Sequence, residues 1–327
     1  MFILVSYPLF LLYLPDTGYD FQYYEQAFDG VYYDPTADLW FRSTSTLTAE
    51  PAWFTYTGLM RYLTDDFRVF LVLNFFLSIS LMYVSFKKLD IDPEMRAAML
   101  VMMVPVIFPT VMFWSPRSSI SLALVYFGVS LLHNRKTIIG VLVLLLAGSI
   151  HSQYLPFVLL VAVFYVGQQV LPFLNRFAIT VIGLSILTLT IFASQYILPY
   201  LTVLPSSVII TSKLNYLDVQ EQGIRFSGFM SLLVYPVLLI LFRKKLAERR
   251  EFPLLVLMVI FSFVINLIFF ASPHVAGRIS RAADYFLFCY LGAYVVRTYP
   301  AAGLVGVALL FAALPLVYTG LYDLNWF

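Results

Sequence analysis

Along this chain, hydrophobic positions fall in long unbroken runs instead of alternating or forming a single stripe. A segment such as 137–150, TIIGVLVLLLAGSI, is apolar on every helical face, and a helix apolar all round is stable when buried in protein or lipid. A bilayer's hydrocarbon core takes roughly 20 helical residues, so spans are predicted wherever an apolar run is bounded by charge, Pro or Asn. They are 1–15, 67–86, 97–114, 117–133, 137–150, 153–170, 177–200, 228–243, 253–271, 281–297 and 300–320. The first has neither a charged n-region nor a small-residue cleavage site, which predicts a retained helix and not a removed leader. The pattern predicts an all-α, polytopic membrane protein with about eleven transmembrane helices.

Composition makes that class exclusive. Of 327 residues, 61% are hydrophobic and only 12% charged, whereas roughly a quarter of a soluble domain is charged. No segment outside the runs is long enough for a core of its own, and no repeat is visible, so 1–327 reads as a single transmembrane domain. Two connectors exceed ordinary length, 16–66 and 201–227. The first is rich in rings, including Tyr24, Phe28, Trp53 and Tyr56, and is expected to pack on the membrane surface, part as an interfacial belt and part as a platform for sugar stacking. A net charge of +2 without basic blocks gives no sign of a nucleic-acid partner, and one cysteine, Cys289, excludes a disulfide framework.

Charge orients the chain. Lys87, Lys88, Arg96, Arg135, Lys136, Arg176, Arg243, Lys244, Lys245, Arg249, Arg250 and Arg297 fall on one side, while most acids fall on the other. The positive-inside rule makes the first side cytoplasmic, places the N-terminus inside, and makes loops 16–66 and 201–227 extracytoplasmic.

Four helices running inward then carry a cation or His at their outer N-terminus: Arg117, His151, Arg225, and Arg278 with Arg281. A helix N-terminus already holds about half a positive charge, so a cation there costs a few tenths of a kcal/mol or more unless something offsets it. In Trp114-Ser115-Pro116-Arg117, Ser115 is the expected N-cap and Pro116 the first helical residue, which aims free N–H groups and a guanidinium at one oxyanion or phosphate site. His151, at a hairpin tip, suits proton abstraction from a hydroxyl. Arg278 and Arg281 share a helical face, and Arg281 is spaced to pair with Asp284. Asp20 and Glu50, framed by aromatics, are further carboxylates for sugar binding, ion pairing or base catalysis. His133, His151 and His274 are split between both sides, so no metal site is expected and no cofactor is implied.

Asp20 with Tyr24, Glu50-Pro51, Arg117, His151-Ser152 and the Arg281-x-x-Asp-Tyr-Phe stretch, in that order, resemble the EpsG-like and Wzy-type polymerases of bacterial exopolysaccharide, capsule and O-antigen. The resemblance is dispersed over nearly the whole chain. It implies a GT-C-like glycosyltransferase bundle in the bacterial cytoplasmic (inner) membrane with an extracytoplasmic active face. The implied reaction joins undecaprenyl-diphosphate-linked oligosaccharide donor and acceptor by metal-independent glycosyl transfer, with membrane lipid and a chain-length regulator protein as further partners. In that chemistry Arg117, Arg278 and Arg281 bind the leaving diphosphate, Arg225 belongs to a mobile lid, and His151 is the base with Glu50 and Asp20 behind it. Two rivals use the same residues: a flippase or transporter of lipid-linked sugar, which expects mid-bilayer ionisable groups and broken helices, and a membrane sugar acyltransferase.

Overall fold

The structure is a computed structural model that describes residues 24–25, 28–29, 51–108, 115–170, 178–185, 226–270 and 273–301. Among these there is no strand; every element is helical. Predicted spans 1–15, 186–200 of the seventh, and 302–320 of the last lie outside the described residues.

Helix α1 (Pro51–Arg61) lies within the predicted outer connector, with Trp53, Thr57 and Met60 buried on one face at helical spacing. Helix α2 (Phe67–Lys88) starts where Asp66 accepts from the backbone N–H groups of Arg68 (2.7 Å) and Val69 (3.2 Å), and ends on Lys87 and Lys88. An acidic cap and a basic last turn both suit the helix dipole. Helix α3 (Pro93–Phe108) opens on proline, as does α4 (Pro116–His133), since the first helical position needs no N–H. Helix α5 (Thr137–Ile150) returns beside α4, and a short 3-10 turn, Ser152–Tyr154, leads into α6 (Leu155–Val170). Residues 178–185 are helical.

The second half begins with α7 (Phe226–Phe229), one π-helical segment (Met230–Val234) and α8 (Tyr235–Leu246), followed by α9 (Phe252–Ile268) and α10 (Pro273–Thr298). The predicted tenth span began at 281; α10 begins at Pro273 instead. The missing residues include Arg278 and Ser280, which hydropathy assigns to water but which this helix shelters inside the bundle, Ser280 completely. Arg278 and Arg281 therefore sit within a helix and not at its N-terminus.

Core contacts run α2–α4–α5 on one side and α3–α10–α9 on the other, joined where the Tyr126 hydroxyl donates to the Ala282 carbonyl at 2.9 Å. Close approach of α4 and α5 depends on two glycines. A Cβ on Gly128 would meet Leu144 at 2.7 Å, and one on Gly140 would meet Leu132 at 2.8 Å. In lipid, where helices gain little from apolar burial against one another, such packing is what holds them together.

Among the described residues two helices, Phe67–Lys88 and Ser152–Val170, are long and apolar enough to cross a membrane, with Thr137–Ile150 and Phe252–Ile268 apolar but shorter. Their outward positions, such as Ile138 at 77% exposure and Leu142 at 60%, form an apolar exterior of the kind lipid covers. The short turns put the starts of α2, α4, α6 and α10 at one end of the bundle. The basic connectors gather at the other, where Asp92 holds Arg249 (3.1 Å) and Arg297 (2.7 Å), Arg297 reaches Glu94 (3.4 Å), and Arg250 pairs with Asp90.

Rings expected on the membrane surface lie in the core instead. Tyr24, Phe28 and Trp53 are buried, and Phe28 stacks on Phe70 at 4.9 Å while Trp53 meets Tyr24 edge-on at 5.9 Å. α1 folds back over the start of α2, so these rings fill the angle between them and have no free face for a sugar.

Candidate functional site

Arg117 occupies the second position of α4, one residue past Pro116, as the sequence predicts. Ser115 is the N-cap residue, but its side chain makes no capping bond. It lies 2.8 Å from the Ser118 hydroxyl and 3.2 Å from that of Tyr24. The Arg117 guanidinium carbon lies 5.6 Å from the centre of the Tyr24 ring. A cation over an aromatic face gains about 0.5–1 kcal/mol, more when desolvated. That is the size of the dipole penalty for a cation at a helix start, so Tyr24 offsets it and the penalty by itself demands no anion.

The start of α4 is anchored by Asn74, fully buried within α2. Its amide donates to the Pro116 carbonyl (3.1 Å) and the Ser119 hydroxyl (2.7 Å) and accepts from Tyr56 (2.8 Å). Sequence reasoning passed over Asn74. Its signal was there, an amide inside an otherwise apolar span, which is costly in lipid unless a neighbouring helix satisfies it.

Arg281 comes from the middle of α10 yet arrives at the same place. Its guanidinium is within electrostatic reach of Tyr285 and Tyr154 and, more weakly, of Tyr24, and makes no ion pair with a described residue. The Tyr154 hydroxyl in turn faces Ser118 and Gln153. Arg117 stands over the Tyr24 ring and Arg281, separated widely in sequence, lies within electrostatic reach of it. Arg278 precedes Arg281 on the same face of α10 and is half-buried.

The expected Arg281–Asp284 ion pair does not form. Asp284 turns the other way, into a cage where Ser231 donates at 2.9 Å, Ser280 lies 2.5 Å away, and Ser262 also donates. The π segment places Ser231 there, since its wider turn shifts the side chains that follow. Satisfied by three hydroxyls, the carboxylate needs no guanidinium and acts on Arg281 only through space.

His151 closes α5, its backbone N–H donating to the Ala147 carbonyl at 3.0 Å, and is also the N-cap of the 3-10 turn that leads into α6, its carbonyl accepting from the Tyr154 N–H at 3.2 Å, so it stands at the start of the next helix as the sequence predicts. It is buried, at 6% exposure, and its ring meets Tyr154 edge-on at 5.4 Å. Tyr154 therefore meets His151 with its ring, while its buried hydroxyl, which makes no hydrogen bond to a described residue, lies in the electrostatic neighbourhood of Arg281. Glu50, Asp20 and Arg225 lie outside the described residues. Among those described, no group of three or more His, Cys, Asp or Glu is placed to hold a metal ion.

No curated protein and no solved structure matches the chain. The EpsG family model matches residues 1–327, the entire length. With two apolar helices long enough to cross a bilayer and a buried arginine–tyrosine constellation at one end of the bundle, this chain belongs to the EpsG family, a Wzy-like polysaccharide polymerase family of membrane proteins.

Proposed function

We propose that this protein joins polyprenyl-diphosphate-linked oligosaccharide repeat units at the extracytoplasmic face of the bacterial cytoplasmic membrane, by glycosyl transfer that needs no metal. The observation that carries the reading is that Arg117, set over the Tyr24 ring at the start of α4, and Arg281 of α10, which makes no ion pair with a described residue, lie in one electrostatic neighbourhood. Two guanidinium groups in one neighbourhood suit a ligand with two adjacent negative groups, and their planar forks match phosphate oxygens. Arg278 extends that face of α10, and Arg225 is assigned to a closing lid.

In the reaction the acceptor hydroxyl oxygen bonds to the donor's anomeric carbon while the bond from that carbon to the diphosphate oxygen breaks. The electron pair leaves with the diphosphate, where the arginines stabilise it, and the hydroxyl proton goes to a base. His151 is the proposed base, with Glu50 and Asp20 next in order. The eleven-span, GT-C-like architecture and the cytoplasmic placement of the basic end belong to the same proposal, supported by the apolar runs and by the gathering of Lys and Arg at the end opposite Arg117.

Asp284, buried midway along α10, and the π segment beside it favour a second reading, a flippase, because transport paths use intramembrane ionisable groups and irregular helices. One assay separates the two. Purified protein in liposomes with lipid-diphosphate oligosaccharide should yield a ladder of longer products, with or without chelator. Arg117→Ala and Arg281→Ala should insert and fold yet form no ladder. Full activity in both variants would remove the diphosphate site, and unchanged chain length with altered sidedness would favour the flippase.

A further inference from the structure

The end of the bundle opposite Arg117 contains a cavity of about 570 Å³ between the α4–α5 turn, the close of α6 and the start of α9. Its polar wall is Arg135, Arg250, His133, Tyr165, Gln168 and Gln169; the rest is apolar, and among the described residues no acidic one lines it, although Asp90 holds Arg250 from outside the cavity. Hydrogen-bonding capacity on that wall is one-sided. Gln169 uses its amide oxygen to accept from Thr137 at 2.6 Å, which leaves its N–H groups for the cavity. The Gln168 amide nitrogen is enclosed and has no hydrogen-bond partner. His133 Nδ1 lies 3.2 Å from the Tyr165 hydroxyl, so these two groups largely satisfy each other. Arg135 makes no ion pair with a described residue. Donors in excess of acceptors, with two guanidinium groups among them, suit a ligand made of anionic oxygens.

The backbone at Arg135 is the second observation. Its φ is 59°, a left-handed conformation that glycine adopts freely and arginine does not. The turn is held by the Asn134 amide, which donates to the Lys88 carbonyl (2.6 Å) and the Ser130 carbonyl (2.8 Å). A charged residue is thus kept in a strained position at the cavity's edge. The third observation is the surface next to it. Ile138 and Ile139 follow the turn, Val170 follows Gln169, and all three are exposed and apolar.

We propose that this cavity holds the phosphate headgroup of an anionic membrane lipid, whose acyl chains lie along Ile138, Ile139 and Val170. Basic pockets between helices at the membrane boundary bind such headgroups through this combination of donors and adjacent apolar surface. The site is independent of the glycosyl-transfer reading, being at the other end of the bundle from Arg117 and Arg281.

The test compares the full-length protein in phosphatidylglycerol and phosphatidylcholine vesicles, measuring lipids retained after extraction and the unfolding temperature in each. Wild type should retain phosphatidylglycerol about tenfold over phosphatidylcholine, the scale of one charge-assisted contact. Arg135→Ala with Arg250→Ala should bring that ratio near one. Arg135→Gly relieves the backbone strain, so it should be at least as stable as wild type in phosphatidylcholine while losing most of the preference. An unchanged ratio in both variants overturns the site. Equal stabilisation by glycerol phosphate in phosphatidylcholine makes the occupant a soluble phosphate and overturns the lipid. Loss of the preference in Arg117→Ala as well places the lipid at the other end and overturns the assignment.

Discussion

Tyr154 meets the His151 ring and lies within electrostatic reach of Arg281, and this makes the roles of its neighbours separable. If His151 accepts the proton, His151→Ala should lower turnover by about 10²-fold or more, the usual worth of general base catalysis, with donor affinity nearly intact. If it only supports Tyr154, the same change should weaken donor binding through Arg281, and binding measured apart from turnover tells the two apart. Asp284 gives a prediction of the opposite character. Asp284→Ala removes the acceptor shared by three buried hydroxyls, of which Ser280 can still donate to the Ala276 carbonyl, and each unsatisfied group costs about 1–3 kcal/mol, so a drop in unfolding temperature in detergent is expected. Asp284→Asn keeps an acceptor oxygen in place and should fold.

Arg117, Arg278 and Arg281 stand out in the sequence because cations inside or beside apolar runs need a reason. What they do does not. The spacing of Arg281 and Asp284 suggests an ion pair, yet serines from the π segment, α9 and α10 take the carboxylate, and spacing along one helix cannot reveal partners on two others. Asn74 and Tyr154 were overlooked because one polar group in an apolar run carries little weight until its partners are known.

Among the elements, the α4–α5 hairpin carries both Arg117 and His151, so its geometry decides whether either reaches the site. Gly128→Leu should disrupt it, because even a Cβ there would lie 2.7 Å from the Leu144 side chain. Forcing extra volume into a packed interface costs typically 1–3 kcal/mol, and activity should fall together with thermal stability. Leu144→Ala in the same molecule should recover part of both. Where spans were bounded by proline or charge, as in α2, α4, α5 and α6, the hydrophobic pattern placed them within a few residues. It failed at α10, where Ser280 is enclosed by protein and Arg278 is half-buried within the helix. It also failed on the aromatic connector, where α1 turns Trp53 inward. In both cases composition records polarity or ring content, and only packing decides which solvent each side chain meets.

For the molecule as a unit, the basic end is tied together by Asp92, which links the α2–α3 turn to Arg249 and Arg297. The Arg297 hydrogen bond, with Arg249 adding to it, holds the Asp92 carboxyl below its usual range despite the opposing effect of partial burial. A carboxyl depressed in the folded state contributes stability that is present above its ordinary value of 3.8 and is lost as pH falls through its lower folded value. Acid titration in detergent should therefore loosen this end below about pH 4, near the ordinary carboxylate range, and Asp92→Asn should remove that step. Both partners are partly exposed, so the effect should shrink with added salt.

The sequence by itself determined the helical class, the membrane as solvent for much of the surface, the sorting of Lys and Arg toward one end, and the residue types able to hold a phosphate. These follow from composition and run length, which do not depend on which helix meets which. Only the tertiary structure decided that Arg117 stands over Tyr24, that Arg281 comes within electrostatic reach of the same region, that Asp284 belongs to serines, that the rings around Trp53 are core, and that a donor-lined cavity exists at the far end. Each of these is a contact between distant segments, and a contact of that kind is set by packing, which a linear pattern does not contain.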